Sequence, residues 1–344
     1  MSSYEERVRR ALIKQHQLFF DYDKQTLKTE YAEYIDCPVC GSSRRSAFLE
    51  KDWFHFVRCA DCSMVYTNPR LNESATYLFY NSEWTYAYNE EKFFADNDAG
   101  SVADEDTIAD LRSIEGLIGN GNRGRLLEIG PGGRGTFLRS ARARGFDVYG
   151  VELGEDNYAT LHKTFGDKIF NKDLRDVQFD RGMFSVVYMR DVFEHVLDPK
   201  GLLREVNRIV EPDGIVCVSV PNIDGLIYRL VKQRHTVMFG FAHVNYWSPA
   251  TLGAVFETTG FHAAKMEHKS LDMTITWLAE YLLGPGTFTS VSLKRDSFTR
   301  KALRRVILAG MARRPLQYVE RALPKLADAL GRGSVITAFG RKDQ

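Results

Sequence analysis

The chain has 344 residues, 46 basic against 45 acidic and 44% hydrophobic, which is long for one domain and ordinary for a globular protein. No apolar run approaches the roughly 20 residues a bilayer span needs, and the charged opening MSSYEERVRR lacks a signal-peptide core. A membrane-spanning helix is thereby excluded, a cytoplasmic protein is expected, and the five cysteines are read as metal ligands or core residues before disulfides.

Residues 1–36 read as a polar helical segment, and 37–70 as a metal-binding module. Cys37-x-x-Cys40 and Cys59-x-x-Cys62 stand 18 residues apart, the spacing of a four-thiolate zinc site. Each pair forms a knuckle that delivers two sulfurs. Four thiolates fill the shell of the Zn2+ ion, so its role is structural. Residues 71–120 read as an aromatic and acidic helical bridge. From Glu83 to Asp110 nine acidic residues face one basic, a balance of −8 read as a solvated face.

Residues 121–271 alternate strand and helix patterns. RLLEIG, DVYGVEL, KIFNKD, FSVVYMRD, GIVCVSVPN and FHAAKMEHK are short strands separated by amphipathic helices, with Pro212-Asp213-Gly214 as the turn into the fifth strand. This order predicts an α/β fold, a doubly wound, Rossmann-like parallel sheet covered on both faces. Residues 272–330 read as a helical cap inserted before GSVITAFGRK, a seventh strand within 331–344. The basic stretch 294–325 carries ten basic residues against two acidic, a balance of +8. It is either a solvated cap or a peripheral contact with anionic lipid at the inner membrane face.

Glu128-Ile-Gly130-Pro-Gly132-Gly-Arg-Gly135 leaves the first strand and opens a helix. The turn is sharp and must let a cofactor approach the backbone, hence glycine. Glu152 ends the second strand, placed to accept both ribose hydroxyls. The spacing alone also fits a dinucleotide fingerprint, which keeps a nicotinamide-dependent oxidoreductase in play. Glu128, two residues before the first glycine and facing a methionine end, and Asp173, after the third strand and facing an adenine amino group, favour S-adenosylmethionine. Arg190, closing the fourth strand, joins Glu128, Gly130, Gly132, Glu152 and Asp173 in the expected cofactor-binding set.

LLEIGPGGRGTFLRSARARGFDVYGVEL, FSVVYMRDVFEHVLDP, REVNRIVEPDGIVCVSVPN and HVNYWSPATLGAVFETTGF together resemble the class I S-adenosylmethionine-dependent methyltransferases, in the ubiquinone-biosynthesis-like branch. The resemblance covers residues 120–270 and the terminal strand. It implies that this seventh strand runs antiparallel to the others. It departs from the family at the glycine loop, where Arg134 stands at the third glycine position and glycine arrives at 135. CPVCGS and VRCADCSMVYTNP are similar to the zinc module of bacterial methyltransferases acting on sugars and secondary metabolites. HVNYWS is similar to a segment of sugar C-methyltransferases, which carry a tyrosine where this chain has Gly240. The implied function is methyl transfer to a small-molecule or glycan acceptor, with His243, in HVNYWS read as a loop facing the acceptor pocket, and His195 as candidate bases. The alternatives are the oxidoreductase and a non-catalytic assembly module. Mixed charge around the cysteines and an acidic flank argue against nucleic acid as a partner.

Overall fold

The computed structural model describes residues 3–85, 105–119, 123–232, 235, 237–270, 322 and 324–343. The chain packs as two units. A sheet unit comprises Asp96–Val220, Pro249–Glu267 and Ile336–Gln344; a cysteine unit comprises Met1–Ala95, Pro221–Ser248 and His268–Val335.

The sheet unit runs α1 (Glu105–Ile118), β1 (Arg125–Ile129), α2 (Thr136–Ala143), β2 (Asp147–Val151), α3 (Glu155–Phe165), β3 (Ile169–Phe170), α4 (Leu174–Val177), β4 (Phe184–Arg190), α5 (Pro199–Ile209), β5 (Val210–Pro221), α6 (Pro249–Glu257), β6 (Phe261–Lys269) and β7 (Val335–Lys342). The seven strands lie in the order β3-β2-β1-β4-β5-β7-β6, with β7 antiparallel. The order reverses between β1 and β4, the place where open α/β sheets bind ligands at the carboxyl ends of their strands.

Local sequence explains each element. β4 is apolar on both faces and buried through Met189, as a central parallel strand must be. α5 begins with Pro199 at its first turn, and the Asp198 carboxylate caps it by accepting the Gly201 N–H at 2.9 Å. Leu126, Val186 and Ile215 from the sheet pack with Leu111, Ile114 and Phe339 into one core. Cys217 is fully buried there, the core residue the sequence suggested.

Pro212-Asp213-Gly214 departs from expectation. It does not precede β5 but sits inside it: Phe184 pairs with Val210, whereas Val186 pairs with Ile215. The partner strand takes up the extra residues as a wide bulge, with Asp213 at φ +62°.

Gly135 caps α2 at φ +55°, and a Cβ built there would lie 2.6 Å from Leu161 Cδ2 on α3. The last glycine of the loop therefore lets two helices approach. Gly135→Ala is expected to cost about 2–3 kcal/mol through left-handed strain and overpacking, read as a lower midpoint in urea.

The cysteine unit opens with the helix Ser3–Phe19 and a short hairpin, Phe20–Asp21 with Thr26–Leu27. Its main sheet is antiparallel, in the order Asn245–Tyr246, Val65–Thr67, Phe54–Cys59, Arg45–Lys51. Asn72 caps the helix Glu73–Tyr80 by accepting the Ala75 N–H at 3.0 Å. Aromatic rings dominate the core: Phe20 meets Phe54 edge-on at 5.0 Å, and Phe79 stacks on Phe241 at 5.3 Å.

The expected cap over 272–330 falls outside the described residues, apart from 322 and 324–330, and the basic stretch 294–325 does so apart from 322, 324 and 325. Residues 86–104 of the expected bridge lie outside as well. No helix among the described residues is long and apolar enough to cross a membrane.

Candidate functional site

In the sheet unit the glycine loop is latched to β2 by its own backbone. The Gly130 N–H donates to the Val151 carbonyl at 2.9 Å. Gly130 has φ +68°, and a Cβ there would lie 2.7 Å from Val192 Cγ2 in the turn after β4. Only glycine satisfies both conditions without displacing that turn.

Glu152 holds the other side. Its carboxylate accepts the Gly132 N–H at 3.0 Å and the Gly154 N–H at 2.8 Å, joining the glycine loop to the β2–α3 turn. The Asn171 amide donates to the Glu152 carbonyl at 2.8 Å. Burial pushes the carboxyl of Glu152 upward, and the Gly154 and Gly132 amides and Asn157 oppose that shift. Each carboxylate oxygen has two lone pairs, so the group that orders the loop retains acceptor capacity for hydroxyls.

Glu128 points from the middle of the sheet. It pairs in register with Tyr188 of β4 and is only 6% exposed. Burial raises its pKa to about 8; Arg190 and the Leu138 N–H pull it down, and Glu152 adds to the rise. Its Oε2 is buried without a hydrogen-bond partner among the described residues. A buried acceptor left in that state is costly unless a ligand satisfies it.

Arg190 is engaged by a residue the sequence reading did not single out. Its guanidinium lies 2.5 Å from Asp110 Oδ2, and the Tyr188 hydroxyl donates to the same oxygen at 2.8 Å. Asp110 belongs to the acidic run whose composition suggests a solvated face, yet it is fully buried. The signal lay in the helical spacing. Thr107, Asp110, Leu111 and Ile114 share one face of α1, and all four are buried.

Asp173 caps α4 at the end of β3. It accepts the Arg175 N–H at 3.0 Å, and Arg175 Nε also reaches it at 2.8 Å. That guanidinium holds the carboxyl below the usual range.

The two candidate bases fall in different units. His195 follows β4, its ring Nε2 3.9 Å from Glu194 Oε1, and Glu194 is a buried carboxyl raised by desolvation and by Asp191. His243 lies in the cysteine unit. Its carbonyl accepts from Thr67 Oγ1 at 3.2 Å and from the Tyr246 hydroxyl at 2.8 Å. HVNYWS, expected as a loop, forms an edge strand in which Asn245 pairs with Tyr66 and Tyr246 with Val65. A Cβ at Gly240 would lie 2.3 Å from the Phe54 ring, so the tyrosine of the sugar C-methyltransferases has no room in this packing.

The four cysteines do converge. Cys37 and Cys62 Sγ are 3.4 Å apart, Cys40 and Cys59 Sγ 3.5 Å, and all four lie within 4.8 Å of one another. A tetrahedral zinc with bonds of about 2.3 Å has sulfurs about 3.8 Å apart, inside this spread. The knuckles close alike: the Gly41 N–H donates to the Cys37 carbonyl at 2.8 Å and the Ser63 N–H to the Cys59 carbonyl at 3.1 Å. The Asp61 N–H points to Cys59 Sγ at 3.4 Å, a donor suited to a thiolate. Donor set and geometry fit a structural zinc ion, held by Cys37, Cys40, Cys59 and Cys62.

Residues 104–265 match a family model described as a methyltransferase domain. This segment and its sheet order define an S-adenosylmethionine-binding methyltransferase fold. Among curated proteins the chain is similar to the ubiquinone biosynthesis O-methyltransferase of Acinetobacter baylyi, 31% identical over 106 residues, which is 28% of this chain and 44% of that protein. The enzyme of the same name from Pseudomonas aeruginosa is 31% identical over 104 residues, again 28% of this chain and 44% of the relative. The chain thus spans less than half the length of the curated relatives it matches. In fold it is similar to Haemonchus contortus phosphoethanolamine N-methyltransferase 2, solved with S-adenosyl-L-methionine, at a TM-score of 0.50 and 18% identity, covering 81% of this chain and 63% of that one.

Proposed function

We propose that the protein transfers a methyl group from S-adenosylmethionine to a small-molecule acceptor, a sugar, glycan or secondary-metabolite precursor. The observation that carries this reading is the pair of buried carboxylates at neighbouring strand ends, Glu128 and Glu152, on either side of the Gly130–Gly132 turn. Bound there, S-adenosylmethionine supplies an activated methyl group on a sulfonium.

Glu152 accepts the ribose hydroxyls while its amide contacts keep the loop in shape. Glu128, with an unfilled acceptor, meets the ammonium of the methionine end. Asp173 and Arg190 complete the set, at the adenine and methionine ends. The chain's chief task is alignment, because orientation supplies much of the acceleration in an in-line displacement. An acceptor that gains a methyl group gives up a proton, which His195 or His243 would take. A second reading of the acceptor, a ubiquinone precursor methylated on oxygen, draws on the names of the curated relatives.

Calorimetry with S-adenosylmethionine and with NAD tests the proposal directly; binding of NAD alone overturns it. Glu152→Ala is expected to weaken S-adenosylmethionine about 10- to 100-fold, the worth of hydrogen bonds to a charged acceptor. Undiminished affinity would remove Glu152 from the ribose.

A further inference from the structure

Three groups that can carry charge meet on one face of the sheet unit. Glu128 pairs in register with Tyr188, and Arg190 follows two residues later on the same strand, so their side chains leave the sheet on the same side. Asp110 approaches that face from α1. It is fully buried, and its Oδ2 takes both the Tyr188 hydroxyl, at 2.8 Å, and the Arg190 guanidinium, at 2.5 Å. The Tyr188 ring is itself fixed, lying flat on Phe137 with centroids 3.5 Å apart and planes 5° from parallel. The Arg190 side chain keeps 22% of its surface exposed.

Beside it stands Glu128, whose Oε2 is buried and unpartnered among the described residues. The face therefore offers a tethered cation and an unfilled carboxyl acceptor side by side. A free amino-acid group presents the complement, an α-carboxylate and an α-ammonium on one carbon.

We infer that Asp110 is a positioning residue for the methionine end of the cofactor: it fixes the Arg190 guanidinium so that Arg190 receives the α-carboxylate while Glu128 receives the α-ammonium. The inference rests on the methyltransferase reading and adds to it the device that orients the amino-acid group. An untethered arginine would surrender side-chain entropy on binding; tied to Asp110 and Tyr188, Arg190 has already lost it. The planar guanidinium suits a carboxylate, whereas a lysine would offer only a point charge. The same tether gives Asp110 a cation in a place where a lone buried carboxylate would be expensive.

The test separates the two charges of the amino-acid group. Binding to the full-length protein is measured by calorimetry for three ligands: S-adenosylmethionine, its decarboxylated form, which keeps the ammonium, and 5′-methylthioadenosine, which lacks the whole amino-acid group. Asp110→Asn keeps the side chain's size and still accepts from Tyr188. It is expected to weaken S-adenosylmethionine about tenfold and to leave the other two ligands within about twofold of wild type. Tyr188→Phe, which removes a single hydroxyl, is expected to show the same selectivity to a smaller degree and covers the case in which Asp110→Asn does not fold. Equal weakening of S-adenosylmethionine and its decarboxylated form, or no weakening of either, overturns the positioning role. Failure of the wild-type protein to bind any of the three overturns the methyltransferase reading itself, a different result.

Discussion

Glu128→Gln is expected to make the protein more resistant to heat and a weaker binder of S-adenosylmethionine at the same time. The stability half follows from burial. Desolvation lifts the Glu128 pKa from 4.5 to about 8, so between those values the folded protein binds a proton that the unfolded chain has released. The sign is fixed by that difference. Stability is fullest below about pH 4.5 and is lost progressively as pH rises through the folded value near 8. By neutral pH the accumulated loss is on the order of 3 kcal/mol, which glutamine does not incur. Melting curves of the two proteins should nearly coincide at about pH 5 and separate steadily toward pH 8. The affinity half follows because an amide offers the ligand's ammonium no charge; a loss of at least about tenfold is expected by calorimetry. A gap between the melting curves that does not change with pH would overturn the account.

Cys59→Ser is expected to strip zinc from the protein and to unfold the cysteine unit, leaving the sheet unit's transition in place. Structural zinc sites of this type contribute about 10–16 kcal/mol of apparent binding free energy in isolated modules, as much as a whole domain's net stability. The dependence is sharp because the ligands must be thiolates. Burial raises Cys37 and lifts Cys62 to about 11, whereas Cys59, despite burial, is brought to about 7 by the Cys62 and Asp61 amides, so two of the ligands resist ionising and acid promotes release of the metal. Elemental analysis should find one zinc per wild-type chain and none in the variant, and amide exchange should accelerate across Arg45–Lys51 and Phe54–Cys59. A variant that keeps its zinc and its exchange pattern would refute the assignment.

The sequence disclosed the sheet well because its strands are short, apolar and bounded by glycine, and their order with intervening helices allows few topologies. Cys37, Cys40, Cys59 and Cys62 were equally plain, since their spacing encodes a shared ligand. Three features escaped. Asp110 escaped because a run of acids invites a solvated reading, and only its helical phase beside Leu111 and Ile114 reveals the buried side. The bulge in β5 escaped because Pro212-Asp213-Gly214 spells a turn, and nothing local shows that Val210 already pairs with β4 before it. HVNYWS reads as a loop because the strand it forms is two residues long and takes its hydrogen bonds from a segment almost two hundred residues earlier. Such pairing leaves no periodicity to detect.

The position of β7 between β5 and β6 has a consequence for how the molecule is made. β6, emerging first, has no neighbour to join until residues 335–342 are synthesised and slide into the gap. The sheet therefore closes only once β7 has been made, however early its other strands have formed. Until then the nascent chain carries its glycine loop on an open-edged sheet.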